Sequence, residues 1–435
     1  MRSHTVAFHG VRFLGMSRRG PHTNSFRLLG AVAAFGLIVS GCSDSDGESS
    51  SADTSTSSAA SSTTAGAATV KPLDQAALQA ALDQGAQEFL LPGAVALLRT
   101  PSGTVTATYG TTERGGGRPV SVDDHVRVGS NTKTWTATVI LELAQEGTLA
   151  VTDPVSKYRP DVPNGDNITI EQLLNMRSGL YNYSETPEVN EALDNDPQRV
   201  WTPDELLTIA YQNPPYFLPG AGYHYSNTNY VLLGLIAEQL DRKPLAEIYQ
   251  ERIFAPAGLT STVFPELPDT SLPDPYSHGY FYGTNMLTIS DPALPEDMQA
   301  AAKNGSLAPA DVTNNNPSWT WAAGGGISTA NDLATWGEAL AGGKVLDGQI
   351  QQQRMASIQS TDPSNPAAAG YGWGMAKFGP MYGHTGELPG YNSFMGSDPE
   401  NNVTLVVWAN LAPGVDGHDP AATIARGVID KMYAG

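Results

Sequence analysis

The chain has 435 residues, with 24 basic and 44 acidic side chains and a net charge of −20. Its acidity and the lack of a basic patch argue against a nucleic-acid partner. Its 31 prolines and 45 glycines point to long ordered loops rather than a helical bundle, and its single cysteine excludes an intramolecular disulfide.

Residues 1–41 carry Arg2, Arg12, Arg18, Arg19 and Arg27 and no acid, with a mainly apolar run at 28–39. A basic segment before a short apolar one is the layout of an export signal. The run is shorter than the ~20 residues a membrane span needs. Arg18-Arg19 raises a twin-arginine route, which Gly20-Pro21 fits poorly. Val39-Ser40-Gly41-Cys42 resembles a bacterial lipoprotein cleavage box, although leucine is usual where Val39 stands. That resemblance implies lipidation of Cys42 and an extracytoplasmic protein anchored to the bacterial cell membrane; a chance thiol in an ordinary leader is the alternative. Residues 42–70 are small and polar, the composition of a flexible tether.

Residues 71–435 are long enough to bury a large core in two closely packed subdomains. The pattern predicts a helix over 74–89, then strands at 93–100 and 103–110, with Gly103 turning the hairpin. A polar turn at Ser130 runs into an apolar helix that reaches about Glu146, where Gly147 terminates it. Further helices are expected over 168–180 and 202–212. Thr202-Pro203-Asp204-Glu205 supplies a cap, an N1 proline and a capping-box glutamate for the second. Residues 228–240 are a strongly apolar helix, and 265–318 hold no sustained period. After the glycine run within 322–340 a helix starts near Ser328 or Thr329. Strands at 370–378, within 382–398 and at 402–410 lead to a closing helix over 418–433. Strands at both ends with helices between them predict an α+β fold whose termini share one sheet.

Ser130-Asn131-Thr132-Lys133 puts a hydroxyl and an amine at i and i+3 on one helix face. Backbone N–H groups at the first turn are unpaired, and a neutral amine within reach takes a hydroxyl's proton. On its own the pattern also describes an N-cap serine and a solvated lysine. Two later segments add to it: Tyr225-Ser226-Asn227 and His384-Thr385-Gly386. In this order the three resemble the penicillin-recognising serine hydrolases, whose variant set is Ser-x-x-Lys, Ser-x-Asn and Lys-Thr-Gly. The resemblance is to the branch with Tyr-x-Asn and His-Thr-Gly, over about residues 75–435. That branch holds class C β-lactamases, the Streptomyces-type D-alanyl-D-alanine carboxypeptidase, and many esterases and peptidases.

The resemblance implies an antiparallel sheet flanked by helices, with an inserted all-helical subdomain. The sheet part would be about 71–130 and 322–435, the helical part about 131–321. It also implies roles. Ser130 would be the acylated nucleophile, Lys133 its activating amine and Tyr225 a second acid–base group, with Tyr223 as a nearby decoy. Asn227 would meet the substrate and Lys133, although Asn is also a common N-cap. His384 would supply a hydrogen bond, or a charge when protonated. Thr385 would face the substrate, and Gly386 would let it lie along the strand. The backbone N–H groups of Ser130 and Glu387 would form the oxyanion hole. Trp319, Trp321 and Tyr181 are weaker candidates for the cleft wall. No metal spacing or cofactor-binding loop is present, and none is expected.

Relatives that take a free peptide carboxylate often carry an arginine before the last segment. Here none occurs between Arg354 and Arg426, and only Lys377 stands just upstream of His384. The reading is a serine hydrolase acting through an acyl-enzyme on an amide or ester, such as a small peptide, as a D-alanyl-D-alanine carboxypeptidase-like cell-wall peptidase or an esterase, with a monomeric catalytic body. The alternatives are a β-lactamase and a non-catalytic penicillin-binding envelope lipoprotein.

Overall fold

The computed structural model describes residues 70–71, 73–365 and 368–433. The leader, Cys42 and the tether up to residue 69 lie outside the described residues.

Helix α1 (Gln75–Glu88) starts where Asp74 accepts the Ala77 N–H at 2.8 Å, and Leu78, Leu82 and Ala86 form its buried stripe. Strand β1 (Gly93–Thr100) is apolar on both faces because both are covered. Val95 and Leu97 enter one core; Ala94, Ala96 and Leu98 enter the other. The chain turns through Pro101-Ser102 into β2 (Gly103–Glu113) and continues to β3 (Gly116–Pro119). It leaves this sheet through β4 (Val126–Arg127) for the apolar helix α2 (Thr132–Gln145). Helices α3 (Ile170–Leu174), α4 (Pro187–Asn195), α5 (Pro203–Tyr211) and α6 (Asn227–Asp241) build the helical part. The capping box expected at Thr202 is present. Short strands β5 (Tyr280–Phe281) and β6 (Ala310–Asp311) pair with each other, and β7 (Ile327–Ser328) pairs with β4.

The chain then completes the large sheet with β8 (Gln359–Ser360), β9 (Gly370–Tyr371), β10 (Ala376–Phe378), β11 (Met381–Leu388), β12 (Tyr391–Asp398) and β13 (Val403–Ala409). The order is β3-β2-β1-β13-β12-β11-β10-β9-β8, with antiparallel pairing throughout. Because β1 lies beside β13, the two ends of the body share one sheet, as the sequence pattern implies. Helix α1 and the closing helix Pro420–Tyr433 cover one face. Helices α2 and α6 and the helix Ala330–Ala341 belong to the core on the other.

Three stretches depart from expectation. The helix expected over 168–180 stops at Leu174. Met176 takes a left-handed backbone (φ 63°), and its sulfur accepts the Ser226 N–H at 3.4 Å, so 177–180 becomes a turn. The strand expected over 370–378 breaks at Gly374 (φ 66°), where a Cβ would lie 2.1 Å from Ala137 Cβ. Residues 265–318, grouped above with the helical subdomain, partly return to the sheet. The Tyr280 N–H donates to Asn410 O at 2.9 Å. Tyr280, Tyr282, Leu294 and Ala302 join the core beneath α1. The pieces of this stretch are too short to display a period.

Candidate active site

Two glycines bring the serine turn onto the sheet. Ser130 sits in a 3₁₀ turn, Gly129–Asn131, just before α2. A Cβ on Gly129 would lie 2.6 Å from the Glu387 N, and a Cβ on Gly386 would lie 1.9 Å from the Val128 O. Only glycine at both positions permits this approach. It brings the backbone of the serine turn beside the N–H of Glu387. The Asn131 amide donates to Ser393 Oγ at 2.9 Å and ties the turn to β12.

Lys133 lies one turn further on, fully buried. Its Nζ is 2.7 Å from Asn227 Oδ1, 2.6 Å from the Ala323 carbonyl oxygen and 2.9 Å from Ser130 Oγ. Burial pushes its pKa well below the ordinary lysine value. A neutral amine has two protons and one lone pair. Two of its partners are carbonyl oxygens, which only accept. In that neutral form both protons go to the carbonyls and the lone pair is left for the Ser130 hydroxyl, whereas an ammonium would donate to all three.

The Tyr225 ring stands 4.7 Å from Lys133 Nζ. Its buried hydroxyl oxygen has no hydrogen-bond partner among the described residues, yet lies near enough to Ser130 for that hydroxyl to favour its ionised form. Burial outweighs this and holds the phenol pKa well above its ordinary value, so Tyr225 carries its proton. Tyr223 points elsewhere. It stacks under the Arg177 guanidinium at 5.4 Å and lies 6.1 Å from the Tyr371 ring. Asn227 is the first residue of α6, with Ser226 at the cap position. Its side chain is not a cap: it bridges Lys133 and Ser184 Oγ, the latter at 3.0 Å.

His384 corrects the sequence expectation of a titrating charge. It is 3% exposed. Nδ1 donates to the Thr385 carbonyl at 2.5 Å, and Nε2 therefore accepts from the Tyr371 hydroxyl at 3.0 Å. Burial first, then the nearby Lys133, pushes its pKa down to about 3. It is neutral at working pH and has no proton to offer a substrate. Thr385 also departs from expectation. Alternation along β11 turns it to the opposite face from His384. There it lines a cavity of about 720 Å³ with Phe394, Asp419 and Arg426, away from Tyr225 and Lys133.

Several participants carry no sequence signal. The Ala323 acceptor is a backbone carbonyl. Tyr371 belongs to none of the three motif segments. Arg354 is buried behind Tyr230 and Tyr371, bonded to Trp373 O and Thr138 Oγ1. Arg177, far upstream of the His384 segment, packs against Tyr223 and donates to the carbonyls of Asn175 and Ser360. Lys377 instead lies over the Tyr382 ring. Trp321 is core, and Tyr181 stacks on Tyr216 at 5.0 Å between centroids.

A family model described as Beta-lactamase matches residues 78–428. The chain belongs to the beta-lactamase family. Within that family it is 25% identical over 311 residues to penicillin-binding protein 4* of Bacillus subtilis (strain 168). That match covers 70% of this chain and 64% of the relative, so the chain spans less than two thirds of the relative's length. The crystal structure of a D-stereospecific amidohydrolase from Streptomyces sp. superposes with a TM-score of 0.68 at 31% identity, over 82% of this chain and 99% of that one. The D-amino acid amidase from Ochrobactrum anthropi SV3, in complex with L-phenylalanine, gives a TM-score of 0.68 at 26% identity, over 81% and 97%. The beta-lactamase-family fold, an antiparallel sheet flanked by helices with a helical insertion, is the one the three segments implied.

Proposed function

We propose that this chain is a serine hydrolase that forms an acyl-enzyme on Ser130. The observation that carries this reading is the placement of Lys133: its Nζ lies 2.9 Å from Ser130 Oγ with two carbonyl acceptors beside it, so its neutral form, with both protons on the carbonyls, presents its lone pair to the serine. Lys133 takes the hydroxyl proton as Oγ bonds to the acyl carbon. The carbonyl electron pair moves to oxygen, which the N–H groups of Ser130 and Glu387 stabilise. The bond to the leaving group then breaks, and its electron pair takes the Tyr225 proton. Lys133 then returns its proton to the phenolate oxygen of Tyr225, whose ring centre stands 4.7 Å from the Lys133 Nζ. Water repeats the addition on the ester, with the same amine as base.

The named activities of the similar structures, a D-stereospecific amidohydrolase and a D-amino acid amidase, support an amide substrate with a D-configured acyl residue. Ester cleavage uses the same groups. A β-lactamase reading is favoured by the family match and differs in needing fast hydrolysis of the penicilloyl ester. D-phenylalanine amide, a D-Ala-D-Ala peptide, a p-nitrophenyl ester and nitrocefin separate these readings. Adduct mass is followed on wild type and Ser130→Ala. Turnover or an adduct that persists in Ser130→Ala overturns the assignment.

The proposal extends to the leader: Cys42 is the acylation site and the body works outside the cell membrane. The basic and apolar segments before Cys42 support this. Correctly cleaved but unacylated Cys42→Ala that stays fully membrane-bound would contradict it. A monomeric body is likewise proposed, with light scattering as its check.

A further inference from the structure

Asn227 is held from both sides. Its Oδ1 faces Lys133, and its Nδ2 donates to Ser184 Oγ at 3.0 Å. The Ser184 hydroxyl donates to Asn182 Oδ1 at 3.0 Å, and the same oxygen accepts the Asn227 backbone N–H at 3.0 Å. Asn182 Nδ2 donates to Glu185 Oε1 at 3.0 Å. The relay ends on this carboxylate, which also takes the Tyr216 O–H at 2.6 Å and lies 3.1 Å from His224 Nε2. Tyr216 stacks on His224 with 3.6 Å between ring centroids, which fixes the donors around the carboxylate.

The direction of every link is determined. A carboxylate only accepts, and a backbone N–H only donates. Between them Asn182 has one orientation. The single proton of Ser184 goes to Asn182 Oδ1, so its lone pairs face Asn227 Nδ2. Asn227 is left with its oxygen toward Lys133.

We propose that Glu185 is a positioning residue that, together with the Asn227 backbone N–H, holds Asn182 in the orientation that gives this relay its polarity and so keeps the Lys133 lone pair on Ser130. Were the Asn227 amide reversed, its NH₂ would face the amine. Lys133 would then accept from it, and its lone pair would leave the serine. The inference rests on Lys133 acting as base to Ser130, as proposed above. It adds a carboxylate, half-exposed at the far end of the relay, to the groups that set the rate.

The test is the rate of Ser130 phosphonylation by a fluorophosphonate probe, in which the serine oxygen bonds to phosphorus, fluoride leaves and Lys133 takes the proton. Measured on the full chain in mild detergent, Glu185→Leu, which has no acceptor for Asn182, is expected to lower the limiting rate about tenfold, roughly the effect of one hydrogen bond. Half-saturation by the probe should not change. Ser184→Ala, which cuts the relay at its middle, should give the same loss, so the test stands if the leucine variant does not fold. The double variant should be no slower than either single one. A merely structural role would instead lower the melting temperature and make the two losses multiply. Wild-type rates in either folded variant, or multiplying losses, overturn the proposal. Ser130→Ala separates the two claims. If it still reacts, the reading of the site fails. If it is silent while Glu185→Leu reacts normally, only the role of Glu185 fails.

Discussion

Replacing Asn227 by aspartate exchanges a neutral oxygen for an anionic one without changing size, 2.7 Å from Lys133 Nζ. At an effective dielectric of about 20, two unit charges at that distance attract by about 6 kcal/mol. A shift of one pKa unit corresponds to about 1.4 kcal/mol. If relaxation leaves only a third of the attraction, the Lys133 pKa still rises by about 1.5 units. Only the free amine accepts the Ser130 proton, so acylation rises with pH through that pKa. Raising it moves the rising limb to higher pH, and below the limb each unit is a tenfold loss. Fluorophosphonate labelling of Asn227→Asp should therefore fall by up to about 30-fold at pH values below the wild-type limb and recover in alkaline buffer. Stopped labelling at half-unit pH steps, with melting curves to verify folding, measures it. A folded variant whose rising limb coincides with that of wild type would refute the reasoning.

Tyr225→Phe should abolish amide turnover, since its hydroxyl is the buried proton donor, while Tyr223→Phe should keep most of it; turnover of D-phenylalanine amide compares them. Gly386→Ala puts a Cβ 1.9 Å from the Val128 O. The forced separation should cost about 1–3 kcal/mol in urea unfolding and about 100-fold in labelling rate through the misplaced oxyanion donor. His384 is held neutral with a pKa of about 3. Its unfolded pKa is about 6.5, so the stability it contributes is complete above that value and is lost as pH falls toward 3. Between pH 6.5 and 5 wild type should lose about 2 kcal/mol more than His384→Gln in urea titrations, and parallel titrations would contradict this.

Ser130 and Lys133 were legible because their i, i+3 spacing came with the Tyr225 and His384 segments in order; the spacing alone also fits a capping serine and a solvated lysine. The choice of Tyr225 over Tyr223 followed from the spacing to Asn227, and in the structure it is the Tyr225 ring that stands 4.7 Å from Lys133 Nζ. The charge state of His384 was not legible, because it depends on the Tyr371 hydroxyl and on burial, both supplied by distant parts of the chain. Thr385 was expected at the substrate, yet strand alternation turns it from the face that His384 occupies. The Ala323 carbonyl, the third partner of Lys133, is a backbone atom and leaves no trace in residue type. The sheet and its shared termini were visible in long apolar runs such as 93–100 and 402–410. The return of Tyr280 and Tyr282 to that sheet was hidden in two-residue strands, and the early end of α3 in one left-handed methionine.

The account stands on a neutral Lys133 whose lone pair faces Ser130. The most direct measurement is the Lys133 side-chain pKa, read from the ¹³Cε and ¹⁵Nζ shifts of labelled lysine and assigned by the resonance that disappears in Lys133→Arg. The account predicts a Lys133 that becomes a free amine well below the ordinary lysine pKa of about 10.4. A resonance that remains an ammonium to pH 10 in the folded, reactive protein would contradict it.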